Sequence, residues 1–347
     1  MSGESGTTGL TRKDFASDQE VRWCPGCGDY AILSATQQVF PSLGIPRERF
    51  VIVSGIGCAS RFPYYVNVYG FHTVHGRAPT IATGIKVANP ELSVWIVSGD
   101  GDALSIGGNH LIHLMRRNPD VNLLLFDNRI YGLTKGQYSP TSELGKKTKS
   151  SPFGSVDRPF NPVALAVGAG ASFIARSVDV FTPHLKRVLQ EAHGHKGASF
   201  VHIYQNCNIF NDGAFRSFRE KALREDNTLM LEHGKPLVFG KHRDRGIRVT
   251  GCYRPEVVQL GDGVTEKDLV VHDEQGPIGY MAMLAELEPP EFPVPIGVFR
   301  RIAAPTLEDG LHTQIEEVTR AKGAGDLAKI LHSGNTWTIG QPEDSPR

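Results

Sequence analysis

The chain has 347 residues, of which 40% are hydrophobic and 21% are charged, as is typical of a globular protein with a sizeable core. Lys plus Arg and Asp plus Glu both number 37, so nothing in the charge balance indicates a nucleic-acid or anionic-membrane surface. No run of 18 apolar residues predicts a transmembrane helix, and the polar first 20 residues lack the apolar stretch of a secretory signal, so we expect a cytoplasmic protein.

The N-terminal third combines a polar leader with glycine-rich turns. Residues 1–20 are rich in Gly, Ser and Thr and are predicted to be flexible. A helix is expected over residues 30–40, and the apolar run at 50–53 predicts a strand that ends in a second glycine-rich turn. A further helix is expected over 78–88, because Asn89-Pro90 closes it.

The central stretch predicts two neighbouring parallel strands. Residues 94–97 form an apolar run that breaks at Gly99-Asp100-Gly101-Asp102, and residues 122–126 form another that ends in Asp127-Asn128. A helix over 105–118 is expected between them. Since ligands of open α/β sheets bind outside the carboxyl ends of the strands, both polar ends are predicted to face one site.

These strand ends offer oxygen ligands and close backbone approach. Asp100 supplies a carboxylate and Asn128 an amide oxygen, which suit Mg²⁺, and the glycines at 99 and 101 let the backbone approach a phosphate. A lone Gly-Asp-Gly is equally compatible with an ordinary strand-end turn. Gly261-Asp262-Gly263 is such a case, since it follows no apolar run and has no matching Asn.

The rest of the chain alternates helix and strand and then loses its pattern. Residues 132–162 are long and polar, as in a lid or a disordered loop. Helices over 163–168 and 180–193 and strands over 172–175 and 199–204 complete an alternation that predicts an α/β fold with a doubly wound parallel sheet. We expect a domain at 21–215, a C-terminal extension at 216–332 with one clear helix at 279–287, and a flexible tail at 333–347.

Four of the five cysteines lie on three separate turns or strand ends. The odd number in a long chain indicates reduced, metal-bound thiolates rather than a disulfide scaffold. Cys24, Cys27, Cys58 and Cys207 could hold a tetrahedral zinc or an iron–sulfur cluster. The Cys24-Pro25-Gly26-Cys27 pair alone also fits a zinc knuckle, although a zinc ribbon usually has a second close pair. Cys252 is interpreted as structural or superficial.

Taken together, these motifs resemble those of a known enzyme family. Gly99-Asp100-Gly101, with 26 residues before Asn128, is similar to the thiamine-diphosphate motif. Together with residues 23–28, 55–61, 75–78 and 127–137, it resembles the β subunit of 2-oxoacid:ferredoxin oxidoreductases, with the subfamily acting on 2-oxoglutarate nearest. The resemblance covers residues 20–215 well and the C-terminal third less well.

The resemblance implies a fold and a cofactor set. It implies the thiamine-diphosphate-binding (PP-type) fold with a C-terminal extension, with Mg²⁺ held by Asp100, Asn128 and the Ile130 carbonyl. It implies one [4Fe–4S] cluster on Cys24, Cys27, Cys58 and Cys207, of which Cys207 has a less typical context. The residues it places around thiamine diphosphate are Ile56, Gly57, Cys58, His75, Gly99, Asp100, Gly101, Asp102, Asn128, Ile130, Gly132, Leu133 and Thr134.

The resemblance also implies a reaction and partners. Coenzyme A-dependent oxidative decarboxylation of 2-oxoglutarate would yield succinyl-CoA and CO₂, a step of the tricarboxylic acid cycle, with electrons passing through the cluster to ferredoxin. An α subunit would supply the pyrimidine-binding domain and an activating Glu, in an αβ or α₂β₂ assembly. Arg61 is a candidate for pairing with the distal carboxylate, Lys135 could approach the same substrate, and His75 is a third candidate catalytic residue.

Three alternatives stay open from the residues. The same chemistry could act on pyruvate or another 2-oxoacid. A non-redox thiamine enzyme subunit could carry a structural zinc on the same thiols. A zinc-ribbon interaction protein is the third possibility, although such a protein has no use for paired strands that end in Asp100 and Asn128.

Overall fold

A computed structural model describes residues 9–251, 254–337 and 339–340. Eleven strands are present in these residues, and most of them end at turns rich in glycine or polar residues. In chain order they are β1 (Phe50–Ser54), β2 (Tyr69–His72), β3 (Ser93–Gly99), β4 (Val121–Asp127), β5 (Phe173–Val178), β6 (Ser199–Tyr204), β7 (Thr228–Leu231), β8 (Val238–Phe239), β9 (Arg245–Thr250), β10 (Arg254–Gln259) and β11 (Val294–Arg301).

Eight of these strands form one sheet in the order β2-β1-β3-β4-β6-β5-β11-β7. All neighbours are parallel except β11, which runs antiparallel to β5. Strands β3 and β4 are buried along almost their whole length, as parallel strands covered on both faces must be. The predicted doubly wound sheet is confirmed, and β8, β9 and β10 form a separate small antiparallel sheet.

Helices connect the parallel strands. In chain order they are α1 (Asp29–Val39), α2 (Ala78–Ala88), α3 (Asp100–Leu104), α4 (Gly108–Arg117), α5 (Pro162–Gly168), α6 (Thr182–Gly194), α7 (Arg216–Arg219), α8 (Arg224–Asn227), α9 (Ile278–Ala285), α10 (Leu307–Lys322) and α11 (Leu327–Leu331). Short 3₁₀ helices occur at Arg12–Phe15, Phe40–Leu43, Arg47–Arg49, Ala59–Tyr64 and Glu266–Asp268. No helix in the described residues is long and apolar enough to cross a membrane.

Two apolar clusters sandwich the large sheet. One contains residues of α2, α4, α5 and α9, and the other contains residues of α1 and α6. Local sequence explains where helices begin: Asn161 caps α5 by accepting hydrogen bonds from the Val163 and Ala164 amides, and Pro162 occupies the first turn, where no amide donor is needed. The helices cover the two faces of the sheet, so the carboxyl ends of the central strands remain available for a ligand-binding site.

The expectation of a flexible segment over residues 1–20 is wrong for its second half. Phe15 is fully buried, and its ring packs edge-on against Phe40 and Phe50. Ala16 forms a β-bridge with Val66. One aromatic side chain in a polar stretch gives little periodic signal, yet burying it contributes about 1.5–3 kcal/mol, enough to order a short turn.

The expected boundary between residues 215 and 216 does not separate compact units. Among the described residues, one compact unit extends to Glu308 and a second, smaller one begins at Asp309. Strands β7 and β11 lie at one edge of the large sheet, and α9 contributes to the first apolar cluster, so much of the predicted extension completes the core. Cys252 and residues 341–347 of the expected flexible tail lie outside the described residues.

Candidate functional site

The carboxyl ends of four adjacent strands meet at one edge of the sheet. Gly99 at the end of β3 is in register with Phe126 of β4, and Asp127 is in register with Tyr204 of β6. The loops after β1, β3, β4 and β6 therefore lie next to one another, and they carry every site residue that the sequence predicts except His75 and the Cys24–Cys27 pair. Two cavities open among these loops.

The glycine-rich cavity, about 450 Å³, is the first of them. It contains all thirteen residues that the family resemblance assigns to thiamine diphosphate, although these come from four segments that are far apart in sequence. Its lining residues are Ile56, Gly57, Cys58, Ala59, His75, Gly99, Asp100, Gly101, Asp102, Phe126, Asn128, Ile130, Tyr131, Gly132, Leu133, Thr134 and Gln137.

Two glycines shape this cavity for a phosphate. A Cβ atom built on Gly99 would meet nothing nearer than the Phe126 carbonyl at 3.9 Å, so it would project into open space. A Cβ on Gly101 would stand 2.2 Å from the Tyr131 ring, whose hydroxyl donates to the Gly101 carbonyl at 2.9 Å. The bare backbone at Gly99 leaves room for the close approach of a diphosphate, and the missing side chain at Gly101 makes room for the Tyr131 ring.

Asp100 is buried at the base of the cavity. Its Oδ2 accepts hydrogen bonds from the Ser139 hydroxyl and from Thr141 Oγ1 at 2.6 Å. Burial and the nearby Asp127 carboxylate raise the pKa of Asp100 above its ordinary range. A divalent cation would favour the ionised form, so this carboxylate suits a Mg²⁺ ligand.

The loop after β4 offers the other predicted magnesium ligands. Asn128 Oδ1 accepts the Ile130 amide at 3.1 Å, which closes a tight turn around Arg129. Arg129 has a left-handed backbone, with φ at 56°, and the turn is held further by Ser142 Oγ, which donates to the Arg129 carbonyl at 2.6 Å. Asn128 and Ile130 thus share one braced turn beside Asp100.

Asp102 lines the cavity, but its oxygens are already engaged. Its Oδ1 accepts the amides of Ile56 at 3.1 Å and Gly76 at 2.7 Å and lies 2.6 Å from His75 Nδ1, while Ser98 Oγ donates to Oδ2 at 2.5 Å. Asp102 therefore ties the loop after β1 to the loop before α2. Because Nδ1 of His75 is bonded to Asp102, Nε2 is the ring nitrogen left for a ligand in the cavity.

The thiol cavity, about 220 Å³, is the second opening and contains all four predicted cluster ligands. Its lining residues are Arg22, Trp23, Cys24, Cys27, Asp29, Cys58, Arg61, Asn128, Gly132, Leu133, Lys135, Gln205, Cys207, Asn208 and Phe210. Cys58, Asn128, Gly132 and Leu133 line both cavities, so a single wall separates them.

Hydrogen bonds hold the thiol-bearing turns together. The Cys27 amide donates to the Cys24 carbonyl at 3.0 Å, and the Trp23 indole donates to the Cys58 carbonyl at 2.7 Å. Asn208 Nδ2 donates to the Pro25 carbonyl at 2.6 Å, and Gln205 Nε2 lies 3.2 Å from Cys27 Sγ. The three cysteine segments, distant in sequence, are thus brought to one cavity.

Burial affects the protonation of two of these thiols. Burial raises the pKa of Cys58 to about 12 and also raises the pKa of Cys27, and the Asp29 carboxylate adds to both shifts. Burial raises the pKa of Asp29 itself to about 7, and neither of its oxygens has a hydrogen-bond partner among the described residues. A metal must displace the thiol protons, so its binding would be coupled to proton release.

The four thiols could hold a tetrahedral zinc or an iron–sulfur cluster. Zinc bound at about 2.3 Å from each sulfur needs its ligands close together. Among the described residues, no group of three or more His, Cys, Asp or Glu side chains is gathered tightly enough to hold one ion.

Arg61 and Lys135 line the thiol cavity and are not among the residues that line the glycine-rich cavity. Sequence reasoning also missed Ser139 and Thr141, which lie within a long polar segment without periodic signal. Nor did it single out His202, which is buried in the strand predicted at 199–204. The one indication in the sequence was a histidine between the apolar residues of that strand.

The thiamine-pyrophosphate enzyme C-terminal TPP-binding domain model matches residues 55–203. The 2-oxoglutarate oxidoreductase subunit KorB of Mycobacterium tuberculosis is 51% identical over 94% of this chain and 88% of its own length. The 2-oxoacid:ferredoxin oxidoreductase subunit beta of Saccharolobus solfataricus is 45% identical over 58% of this chain and 67% of its own length.

A solved structure shows the same likeness in three dimensions. A chain of 2-oxoglutarate:ferredoxin oxidoreductase from Magnetococcus marinus, solved with 2-oxoglutarate, coenzyme A and succinyl-CoA bound, is 31% identical, with a TM-score of 0.75. The match covers 95% of this chain and 98% of that chain, so it extends beyond the TPP-binding segment into the C-terminal third.

Proposed function

Because this chain belongs to the family of 2-oxoacid:ferredoxin oxidoreductase β subunits, we propose that it is the thiamine- and cluster-binding subunit of an enzyme acting on 2-oxoglutarate. The reaction is the coenzyme A-dependent oxidative decarboxylation of 2-oxoglutarate to succinyl-CoA and CO₂. The name of the Mycobacterium relative and the ligands of the Magnetococcus structure support 2-oxoglutarate over pyruvate.

The main observation in support of this proposal is that the two cavities share a single wall. Decarboxylation by thiamine needs a glycine-rich cradle with a magnesium site, and one-electron oxidation needs a redox centre within short reach. Cys58 and Gly132 belong to both cavities, so the two cofactors would be neighbours. A non-redox thiamine enzyme has no use for four thiols in that position.

The chain's own residues would hold and orient the cofactors. Asp100, the Asn128 side chain and the Ile130 carbonyl would hold Mg²⁺ against the diphosphate, beside the bare backbone at Gly99. Cys24, Cys27, Cys58 and Cys207 would hold a [4Fe–4S] cluster. Thiamine diphosphate supplies, when bound, the electron sink through which a 2-oxoacid loses CO₂.

Three polar side chains would act on the substrate. His75, oriented by Asp102, would accept a hydrogen bond or a proton through Nε2. Arg61 and Lys135 would offer cations to the distal carboxylate of 2-oxoglutarate, which is costly to bury unpaired. Because both line the thiol cavity, this contact requires the substrate to reach the shared wall.

The active enzyme would contain further chains. An α subunit would provide the pyrimidine-binding domain and the activating Glu, in an αβ or α₂β₂ assembly in the cytoplasm. Ferredoxin would accept the electrons. This chain alone would then bind the cluster but not turn over substrate.

The test is anaerobic co-purification of the chain with its α subunit, followed by iron, sulfide and zinc analysis. We expect iron and sulfide, a brown colour, and 2-oxoglutarate-dependent reduction of ferredoxin or a viologen that requires coenzyme A. Pyruvate under the same conditions is the matched control for substrate. A colourless zinc protein, or a complex that decarboxylates without passing electrons on, would contradict the proposal.

A further inference from the structure

A series of buried, hydrogen-bonded side chains extends from Arg176 to Asp100 of the proposed magnesium site. Arg176 Nε donates to His202 Nδ1 at 3.1 Å, and His202 Nε2 lies 2.8 Å from Asp127 Oδ2. Thr141 Oγ1 lies 2.8 Å from Asp127 Oδ1 and 2.6 Å from Asp100 Oδ2. All five side chains are at most 3% exposed, so solvent does not substitute for any of these contacts.

The direction of the hydrogen bonds from Arg176 through His202 to Asp127 is fixed by their chemistry. Arginine can only donate, so His202 Nδ1 must be the acceptor and Nε2 must carry the ring hydrogen. His202 is then a neutral donor to Asp127, and burial, which lowers the pKa of His202 to about 4, keeps it neutral. The guanidinium of Arg176 packs over the rings of Tyr204 and Phe299, and this packing holds Arg176 in place.

Asp127 is bonded to both parts of the magnesium site. Through Thr141 it reaches Asp100. Its Oδ1 also accepts the amide of Arg129 at 3.2 Å, within the turn that carries Asn128 and Ile130. A non-glycine residue with φ at 56° is strained, so this turn depends on such bonds to keep its shape.

We infer that Asp127, braced by His202 and Arg176, is the positioning residue that sets both halves of the magnesium site at once. Thr141 transmits its position to Asp100, and the Arg129 amide transmits it to the turn of Asn128 and Ile130. Ligand-supporting residues of this kind typically change metal affinity by about 10–100-fold when they are removed. The inference rests on the proposed function, because it presupposes that Asp100 and Asn128 bind Mg²⁺.

The test uses the complex with the α subunit, from which Mg²⁺ and thiamine diphosphate have first been removed. It measures the Mg²⁺ concentration that is needed for half-maximal binding of thiamine diphosphate. Thr141→Val keeps the shape of the side chain and removes the hydroxyl, so we expect a requirement about 10–100-fold higher. Thr141→Ser should restore a value close to wild type. Thr36→Val is the matched control, because Thr36 is equally buried but bonds only to the Ile32 carbonyl in α1.

A second pair of variants tests the hydrogen bond from His202 to Asp127. His202→Phe removes both the donor to Asp127 and the acceptor for Arg176, whereas the amide group of His202→Gln can still donate to Asp127. We expect a higher Mg²⁺ requirement for Phe than for Gln, at similar thermal stability and unchanged iron content. Equal requirements in the two variants would mean that His202 only packs, and the inference would be wrong.

Asp100→Ala separates this inference from the proposed function. If Asp100→Ala abolishes Mg²⁺-dependent binding while Thr141→Val behaves like wild type, the positioning role of Asp127 is overturned and the magnesium site stands. If Asp100→Ala retains wild-type binding, the magnesium site itself is misassigned and both proposals fall.

Discussion

The thiol of Cys58 lies against the backbone of Gly132, so closely that a Cβ built on Gly132 would stand 3.4 Å from Cys58 Sγ. The same atom would stand 3.7 Å from Cys207 Sγ. Two thiols from different strand ends thus converge on one residue of the wall between the cavities. A residue with no side chain keeps that wall thin.

This contact predicts that Gly132 tolerates no side chain larger than a methyl group. Gly132→Val should push the thiols apart, so we expect loss of iron and of visible absorbance in the purified complex. Gly84→Ala is the matched control, because Gly84 lies exposed in α2 with no atom near its Cβ position. In a helix interior that change stabilises by about 0.5–1 kcal/mol. Full iron content in Gly132→Val would show that the cluster lies elsewhere.

The second prediction concerns the thiolates. Replacing Cys24, Cys27, Cys58 or Cys207 singly by Ser should reduce iron and sulfide and the visible absorbance, because a cluster needs all four ligands. Cys252→Ser should leave iron content unchanged. If Cys207→Ser kept its full iron and sulfide, Cys207 would not be a ligand and a different group would have to complete the site.

The third prediction concerns magnesium. Asp100→Ala should abolish retention of thiamine diphosphate without removing iron, because the thiol turns and Asp100 belong to different loops. Asp262→Ala serves as the control, since Asp262 lies in another Gly-Asp-Gly turn, outside both cavities. Equilibrium dialysis of thiamine diphosphate with and without Mg²⁺ measures the effect. Unchanged affinity in Asp100→Ala would exclude a magnesium role.

The fourth prediction concerns His75. His75→Asn keeps a donor for Asp102 but offers no nitrogen in the position of Nε2. If His75 transfers a proton, kcat should fall by about 10²–10⁴-fold while thiamine diphosphate binding stays intact. His113→Asn, on the exposed side of α4, is the control. A kcat equal to wild type would leave His75 with a structural role beside Asp102.

The fifth prediction concerns substrate choice. A charge-assisted contact contributes about 1.5–3 kcal/mol, which corresponds to roughly ten- to hundredfold. Arg61→Ala should therefore lower kcat/KM for 2-oxoglutarate by that order and leave any pyruvate turnover nearly unchanged. Lys135→Ala should act in the same direction but more weakly. Equal losses for both acids would instead assign Arg61 to the cluster, whose cavity it lines.

Local patterns were enough to predict the parallel core of the large sheet, and the resemblance to a known family supplied the two sets of predicted site residues. Apolar runs that break at Gly99-Asp100-Gly101 and Asp127-Asn128 predict buried parallel strands with polar ends, because such strands are covered on both faces. The ends of parallel strands share one edge, so the residues after them must converge. That rule brought the predicted thiamine-binding residues to one cavity and the four cysteines to another.

Other features were decided by contacts that no local pattern encodes. Phe15 orders a polar leader by packing on Phe40 and Phe50, and β11 joins the sheet beside β5 across more than a hundred residues. The links from Arg176 through His202 to Asp127 depend on the register of β4, β5 and β6. Sequence spacing determines which face of its own strand a side chain occupies. Which buried donor meets which acceptor is determined only when the strands pair, because the partners come from distant segments and an unpaired buried group is costly.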